Sequence, residues 1–123
     1  MDEELLKAEL LQRFIEGYHY KERETTEIAE SKGWTIEPDN MYQIATKIAL
    51  IQSEVSEALE AWREGNPMSE KTPEFSLLEE ELADVVLRIM HLSYRMKLRL
   101  PEAMIAKDRY NRTRPLKHGN KLF

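Results

Sequence analysis

Two segments, residues 41–64 and 74–97, repeat apolar side chains every three or four positions along their whole length. That period specifies helices, and two helices so long must dominate any domain built from 123 residues. Gly65-Asn66-Pro67 stops the first, and a polar run to Pro73 separates it from the second. Residues 2–32 also read helical, with Leu5, Leu6, Leu10, Phe14, Ile15 and Tyr18 at helical spacing. Gly17 and the charged stretch KERETTE are expected to divide them into two helices, leaving residues 1–20 as an N-terminal helical extension. Gly33 marks a stop. The loop WTIEPDN ends at Asp39 or Asn40 as an N-cap. Pro101 suits the first turn of a last helix over 101–112, followed by a basic tail over 112–123. No segment alternates as a strand does, none repeats, and no linker is long enough to separate a second domain from the first. The expectation is one all-α domain spanning 1–123. It is a four-helix-bundle-like protomer whose two long central antiparallel helices carry the acidic residues.

The chain contains no cysteine, which excludes disulfides, thiolate catalysis and cysteine-based zinc sites. A net charge of −5 gives no reason to expect nucleic-acid binding. The N-terminus MDEELLKAEL lacks an apolar signal core, and no apolar run approaches the ~18 residues that span a bilayer. A cytoplasmic protein without membrane contact is expected.

At 100° per residue, Met41, Ile44, Ile48, Ile51, Val55, Leu59 and Trp62 form one stripe, read as a core face. Glu54 and Glu57 sit on a flank shared with Leu50, Ala58 and Ala61, while Glu60 turns towards solvent. In the next helix Phe75, Leu78, Leu82, Val85, Ile89, Leu92 and Met96 form the core stripe, widened by Val86, Leu87 and Met90. Its polar remainder is one narrow strip: Glu81, Asp84, Arg88, His91 and Arg95. A helix apolar on most sides is buried on most sides, and buried carboxylates need compensation. A hard divalent cation supplies it, because Mg²⁺ takes oxygen ligands and residues three apart share a helix face. Glu54, Glu57, Glu81 and Asp84 therefore form a candidate metal set. On spacing alone, ordinary ion pairs of Glu81 and Asp84 with Arg88 and Lys47 remain an equal reading. A di-iron bundle needs E-x-x-H from each of two helices, a pair this chain does not supply.

IALIQSEVSEALEAWREGN followed by EEELADVVLRI resembles the MazG-like, all-α nucleotide pyrophosphohydrolase superfamily, whose signature is E-E-x-x-E, a spacer, then E-x-x-D. Glu54, Glu57, Glu81 and Asp84 match it. Ser53 stands where many members have the first Glu, and His91 where an acid is common. His91 reads as a core-edge histidine. The ending KDRYNRTRPLKHGNKLF is similar to the K-x-x-x-N-x-x-R ending of small, phage-like members. The resemblance covers about residues 30–123. It implies Mg²⁺-dependent hydrolysis of a nucleoside triphosphate, often a deoxynucleotide or non-canonical one, to the monophosphate and pyrophosphate. It also implies a homodimer or homotetramer. Mn²⁺ is an alternative cation. Glu54 or Glu57 is the candidate to orient the attacking water. Lys107, Arg114 and Lys121 match the family pattern and are expected on phosphate, and Asn111 on sugar or phosphate or at the helix end. Arg109, Arg112 and Lys117 suit phosphate contact or charge balance equally. Trp34 suits a base platform or a buried anchor, and Asn40 a base or ribose contact or an N-cap. Two other readings stand beside this one. One is a phosphoribosyl-ATP pyrophosphohydrolase-like enzyme, the other a non-catalytic helical interaction protein.

Overall fold

Helices form where the apolar period runs: α1 (Glu3–Ser31), α2 (Met41–Arg63), α3 (Leu77–Met96) and α4 (Leu100–Arg112). The structure is a computed structural model that describes residues 2–116. It is all-α, with no strand among the described residues. α1 is one unbroken helix, not two. A lone helical glycine costs about 1 kcal/mol relative to alanine, too little to break so long a helix. The charged stretch supports it instead, through Lys21–Glu24 at 2.8 Å and Arg23–Glu27 at 4.0 Å, pairs at the spacings that stabilise helices.

The helix ends are set by backbone chemistry. Gly33 and Gly65 have φ of +91° and +89°, values that only glycine adopts without strain. At the end of α1 the Trp34 amide reaches the Ala29 carbonyl and the Gly33 amide that of Glu30. At the end of α2 the Asn66 amide reaches Ala61 and the Gly65 amide Trp62. Both are the paired bonds of a Schellman motif. α3 opens on a capping box in which Ser76 and Glu79 satisfy each other's backbone amides.

The described residues form two compact units. In one, Lys21–Leu98, α2 and α3 pack together and run antiparallel. Glu54 meets Arg88, and the Asn66 side chain accepts a bond from the Leu78 amide at 2.8 Å, so rising numbers on α2 face falling numbers on α3. The contact is made through small residues: Ala58 and Ala61 are 4% and 2% exposed. Alanines let two helices approach closely with the carboxylates of the same flank beside the seam.

This corrects the expected core face of α2. Met41, Ile48, Val55, Leu59 and Trp62 are all exposed, Trp62 by 63%. The periodicity located an apolar stripe, but the chain buries the alanine flank a quarter-turn away. On α3, Met90 and Leu92 are buried, whereas Leu82 and Val86 are exposed, as is Phe75 just before the helix. The polar strip of α3 points inwards: His91 is buried, and Glu81, Asp84, Arg88 and Arg95 are half-buried.

In the other unit, the stretch of α1 up to Tyr20 pairs with α4. His19 Nε2 lies 3.1 Å from Glu102 Oε1. Leu11 and Ile15 share a groove with Ile105 and Ala106.

A candidate carboxylate metal site

The antiparallel seam of α2 and α3 sets Glu54 and Glu57 against Glu81. One carboxylate oxygen from each lies within 4.8 Å of the other two. Register is what achieves this. The Asn66 bond to the Leu78 amide and the Ser76 cap fix where α3 begins. A slip of one residue would swing Glu81 by 100° away from the seam.

Three acids this close repel. Burial pushes the Glu81 carboxyl above its ordinary value, and Glu57, then Asp84 and Glu80, push it further. Its Oε2 is buried without a hydrogen-bond partner. Burial likewise raises Asp84, with Glu54 and Glu80 adding to it and Lys71 and Arg88 opposing. Glu54 has a cation: Arg88 Nε donates to its Oε1 at 2.8 Å. Arg88 thus pairs with Glu54, across the seam, and not with the acids of its own helix.

Of the four acids of the candidate metal set, then, three converge. Asp84 stands outside that trio, close enough to Glu54 for their charges to interact. Trp34 is exposed at the rim of a cavity within the same unit. Asn40 is the N-cap of α2, its Oδ1 accepting from the Tyr42 and Gln43 amides at 3.1 Å each. Gln43 in turn accepts from the Glu37 amide. Lys107, Asn111 and Arg114 belong to the other unit. There, Lys107 Nζ sits 4.7 Å from the centre of the Tyr110 ring, and Arg114 shares that ring at 6.0 Å. Lys121, with Lys117 and His118, lies outside the described residues.

One cluster had no signal in the sequence. Glu30, near the end of α1, accepts from both Arg95 Nε and Arg95 Nη2, and from His91 Nε2 at 3.1 Å. The Arg95 bonds, with His91 helping, hold the Glu30 carboxyl below its ordinary value despite burial. His91 and Arg95 are one turn apart on α3, but their partner is some sixty residues earlier.

The trio suits a hard divalent cation. Its donors are all carboxylate oxygens, the set that Mg²⁺ and Mn²⁺ prefer, and the orphaned Glu81 oxygen lacks a positive partner. Comparison with protein-family models, with curated proteins and with solved structures finds no match for this chain.

Proposed function

We propose that the chain hydrolyses a nucleoside triphosphate, a deoxynucleotide or a non-canonical one, to the monophosphate and pyrophosphate, using Mg²⁺ held by Glu54, Glu57 and Glu81. The observation that carries this reading is the converging trio with its buried, partnerless oxygen. When bound, the cation would neutralise phosphate charge and stabilise charge that develops in phosphoryl transfer. The chain's own residues do the rest. Glu54 or Glu57, the latter the exposed member of the trio, is the candidate to orient the attacking water. Arg88 holds Glu54 in position. Asp84 adds negative charge at the edge of the site. The family resemblance in the sequence supports the same reading.

The exposed stripe of α2 supports a homo-oligomer, since Met41 at 72% and Trp62 at 63% exposed lie in one apolar band of the kind that marks association surfaces. The same stripe would serve a non-catalytic helical interaction protein. Pyrophosphate release separates the two readings. Wild type and Glu57→Ala are incubated with canonical and modified triphosphates, with phosphoribosyl-ATP included, in Mg²⁺ and in EDTA. We expect Mg²⁺-dependent release by wild type and a drop of at least about 10²-fold in the variant, the loss of a few kcal/mol of transition-state stabilisation. No release from any substrate would sink the hydrolase reading.

A further inference from the structure

The unit made by α1 up to Tyr20 and by α4 has almost no interior. Among its described residues only Pro101 is buried. Leu5, Leu6, Leu10, Leu11 and Phe14 are all exposed. Its described residues, 2–20 and 99–116, fall under the ~40 below which disulfides, a metal or association usually hold a fold together. Disulfides are excluded, since the chain has no cysteine. Among the described residues, the group of acids and histidines close enough to hold a metal is the trio on α2 and α3, in the other unit. That leaves association.

α1 carries two apolar faces in this unit. At 100° per residue, Ala8, Leu11, Ile15 and His19 share one, and it is turned towards α4. The first three line a groove with Ile105 and Ala106, and His19 meets Glu102. Leu6, Leu10 and Phe14, four apart in the sequence, form a second face about 140° round the helix. They are 46%, 52% and 40% exposed, so α4 covers one face and leaves the other open. Gly17 continues the open stripe, and a Cβ placed on it would meet nothing within 4 Å. The backbone there is free to be approached closely by another helix.

The charges at its border favour one occupant. Glu9 and Arg13, paired with each other, run along one edge of the stripe. Opposite signs on one edge make that edge complementary to itself under a twofold axis, where residue i meets j and j meets i. The axis falls at Leu10. It sets Leu6 of each copy against Phe14 of the other, since both stand four residues from Leu10. It also brings Glu9 of each copy within a turn of the other's Arg13. A parallel pair would instead lay two acidic first turns, Asp2, Glu3 and Glu4, side by side, and like charges there repel. A face that matches itself is matched by a second copy, the one partner every chain has.

We propose that a second copy of this chain docks on this face, its α1 antiparallel across the first with Leu10 at the axis. The interface is separate from the α2 stripe, lies in residues outside the family resemblance and does not rest on the hydrolase reading. It gives the α1–α4 unit, which also holds Lys107, Asn111 and Arg114, the cover that two helices cannot give each other.

Because the chain has no cysteine, introduced thiols report this geometry alone. Leu6→Cys/Phe14→Cys is oxidised beside Leu6→Cys. On one helix the two positions are about 12 Å apart, beyond the ~7 Å Cα separation a disulfide spans, so the double variant closes only between copies. We expect a covalent dimer from the double variant and none from the single one, whose thiols an antiparallel pair also holds about 12 Å apart or more. Sedimentation equilibrium and hydrogen exchange are measured on wild type, on Leu10→Glu and, as a control on the α2 stripe, on Trp62→Glu. Leu10 is exposed, so Leu10→Glu removes no buried contact within the single chain. It should halve the mass and speed exchange at least tenfold over residues 3–20 and 100–112, since a unit that loses its cover opens more often. Trp62→Glu should leave exchange over those residues unchanged. A monomeric wild type, or a Leu10→Glu variant with wild-type mass and exchange, overturns the second copy and leaves the face to a foreign helix. Leu6→Cys that cross-links as readily as the double variant overturns the antiparallel pairing, as does a double variant that stays uncross-linked.

Discussion

Glu30 and Glu81 are two half-buried carboxylates in the same unit, each placed between α3 and an earlier helix, and the protein treats them in opposite ways. Glu30 is met by a guanidinium and an imidazole, and its carboxyl is held low. Glu81 is met by Glu57, with Asp84 and Glu80 nearby, and its carboxyl is pushed up, with one oxygen left unpartnered. Burial alone raises both. The difference lies in the neighbours, which are other side chains on the same short stretch of α3 and its partners. Where the fold needs a brace, it satisfies the acid. Where it leaves acids converging and unsatisfied, something outside the chain has to satisfy them, and perturbed acids of that kind concentrate at functional sites.

The contrast is tested most strongly at the brace. Glu30→Ala strands Arg95 and the buried His91 without their acceptor, and removing one partner of a buried, charge-assisted pair is costly. Arg95 is 38% exposed on its side chain, so solvent recovers some of the loss. We expect destabilisation of about 2–3 kcal/mol in urea unfolding. A variant as stable as wild type would mean that the cluster braces nothing.

The converse change, Glu81→Gln, should act in the other direction and by less. It removes a charge that its neighbours oppose while keeping the shape. In EDTA the variant should be more stable than wild type by about 1 kcal/mol. Added Mg²⁺ should raise the melting temperature of wild type, since a ligand that binds only the folded state stabilises it, and raise that of the variant less. If Mg²⁺ shifts neither protein and the substitution destabilises, the trio is an ordinary charged seam.

These two sites were not equally visible in the sequence. The apolar period gave α2, α3 and α4 to within a few residues but not the continuity of α1, and Gly33, Gly65 and Asn40 punctuate the helices as their chemistry requires. The acidic site was visible because Glu54 and Glu57, and Glu81 and Asp84, are each three apart, so local geometry already placed each pair on one face. Which face met its own chain was not visible. The apolar stripe from Met41 to Trp62 looks more like a core than the flank holding Ala58 and Ala61, yet close helix approach favours alanine, and the large residues are left outside. The pairing of Arg88 with Glu54 depends on the register of two helices, and no spacing within either helix encodes it. The brace was invisible for the same reason: Glu30 meets His91 and Arg95 only through tertiary packing.

The two carboxylates also predict two separate limbs in the pH dependence of stability, a smaller effect that tests both at once. The ordinary value for either glutamate is 4.5. Glu30 lies below it when folded. The unfolded chain therefore takes up a proton first as pH falls. Its stabilisation is full above 4.5 and disappears as pH drops through the lower folded value. Glu81 lies above 4.5 when folded. Its protonated form is the one the fold tolerates, so its contribution is full below 4.5 and disappears as pH rises through the higher folded value. Asp84, also raised, acts with Glu81. In EDTA, stability should thus fall on both sides of a mildly acidic maximum, with each limb below about 1 kcal/mol after solvent screening. Glu30→Ala should shrink the acid limb, to which the lowered Glu79 and Glu102 also contribute, and Glu81→Gln should shrink the upper one, where Asp84 keeps its share. Mg²⁺ should flatten the upper limb in wild type without any substitution, because a cation favours the ionised trio. An upper limb that Glu81→Gln leaves undiminished, or that ignores Mg²⁺, would place the strain elsewhere on α3 and remove the physical basis for a cation between these helices.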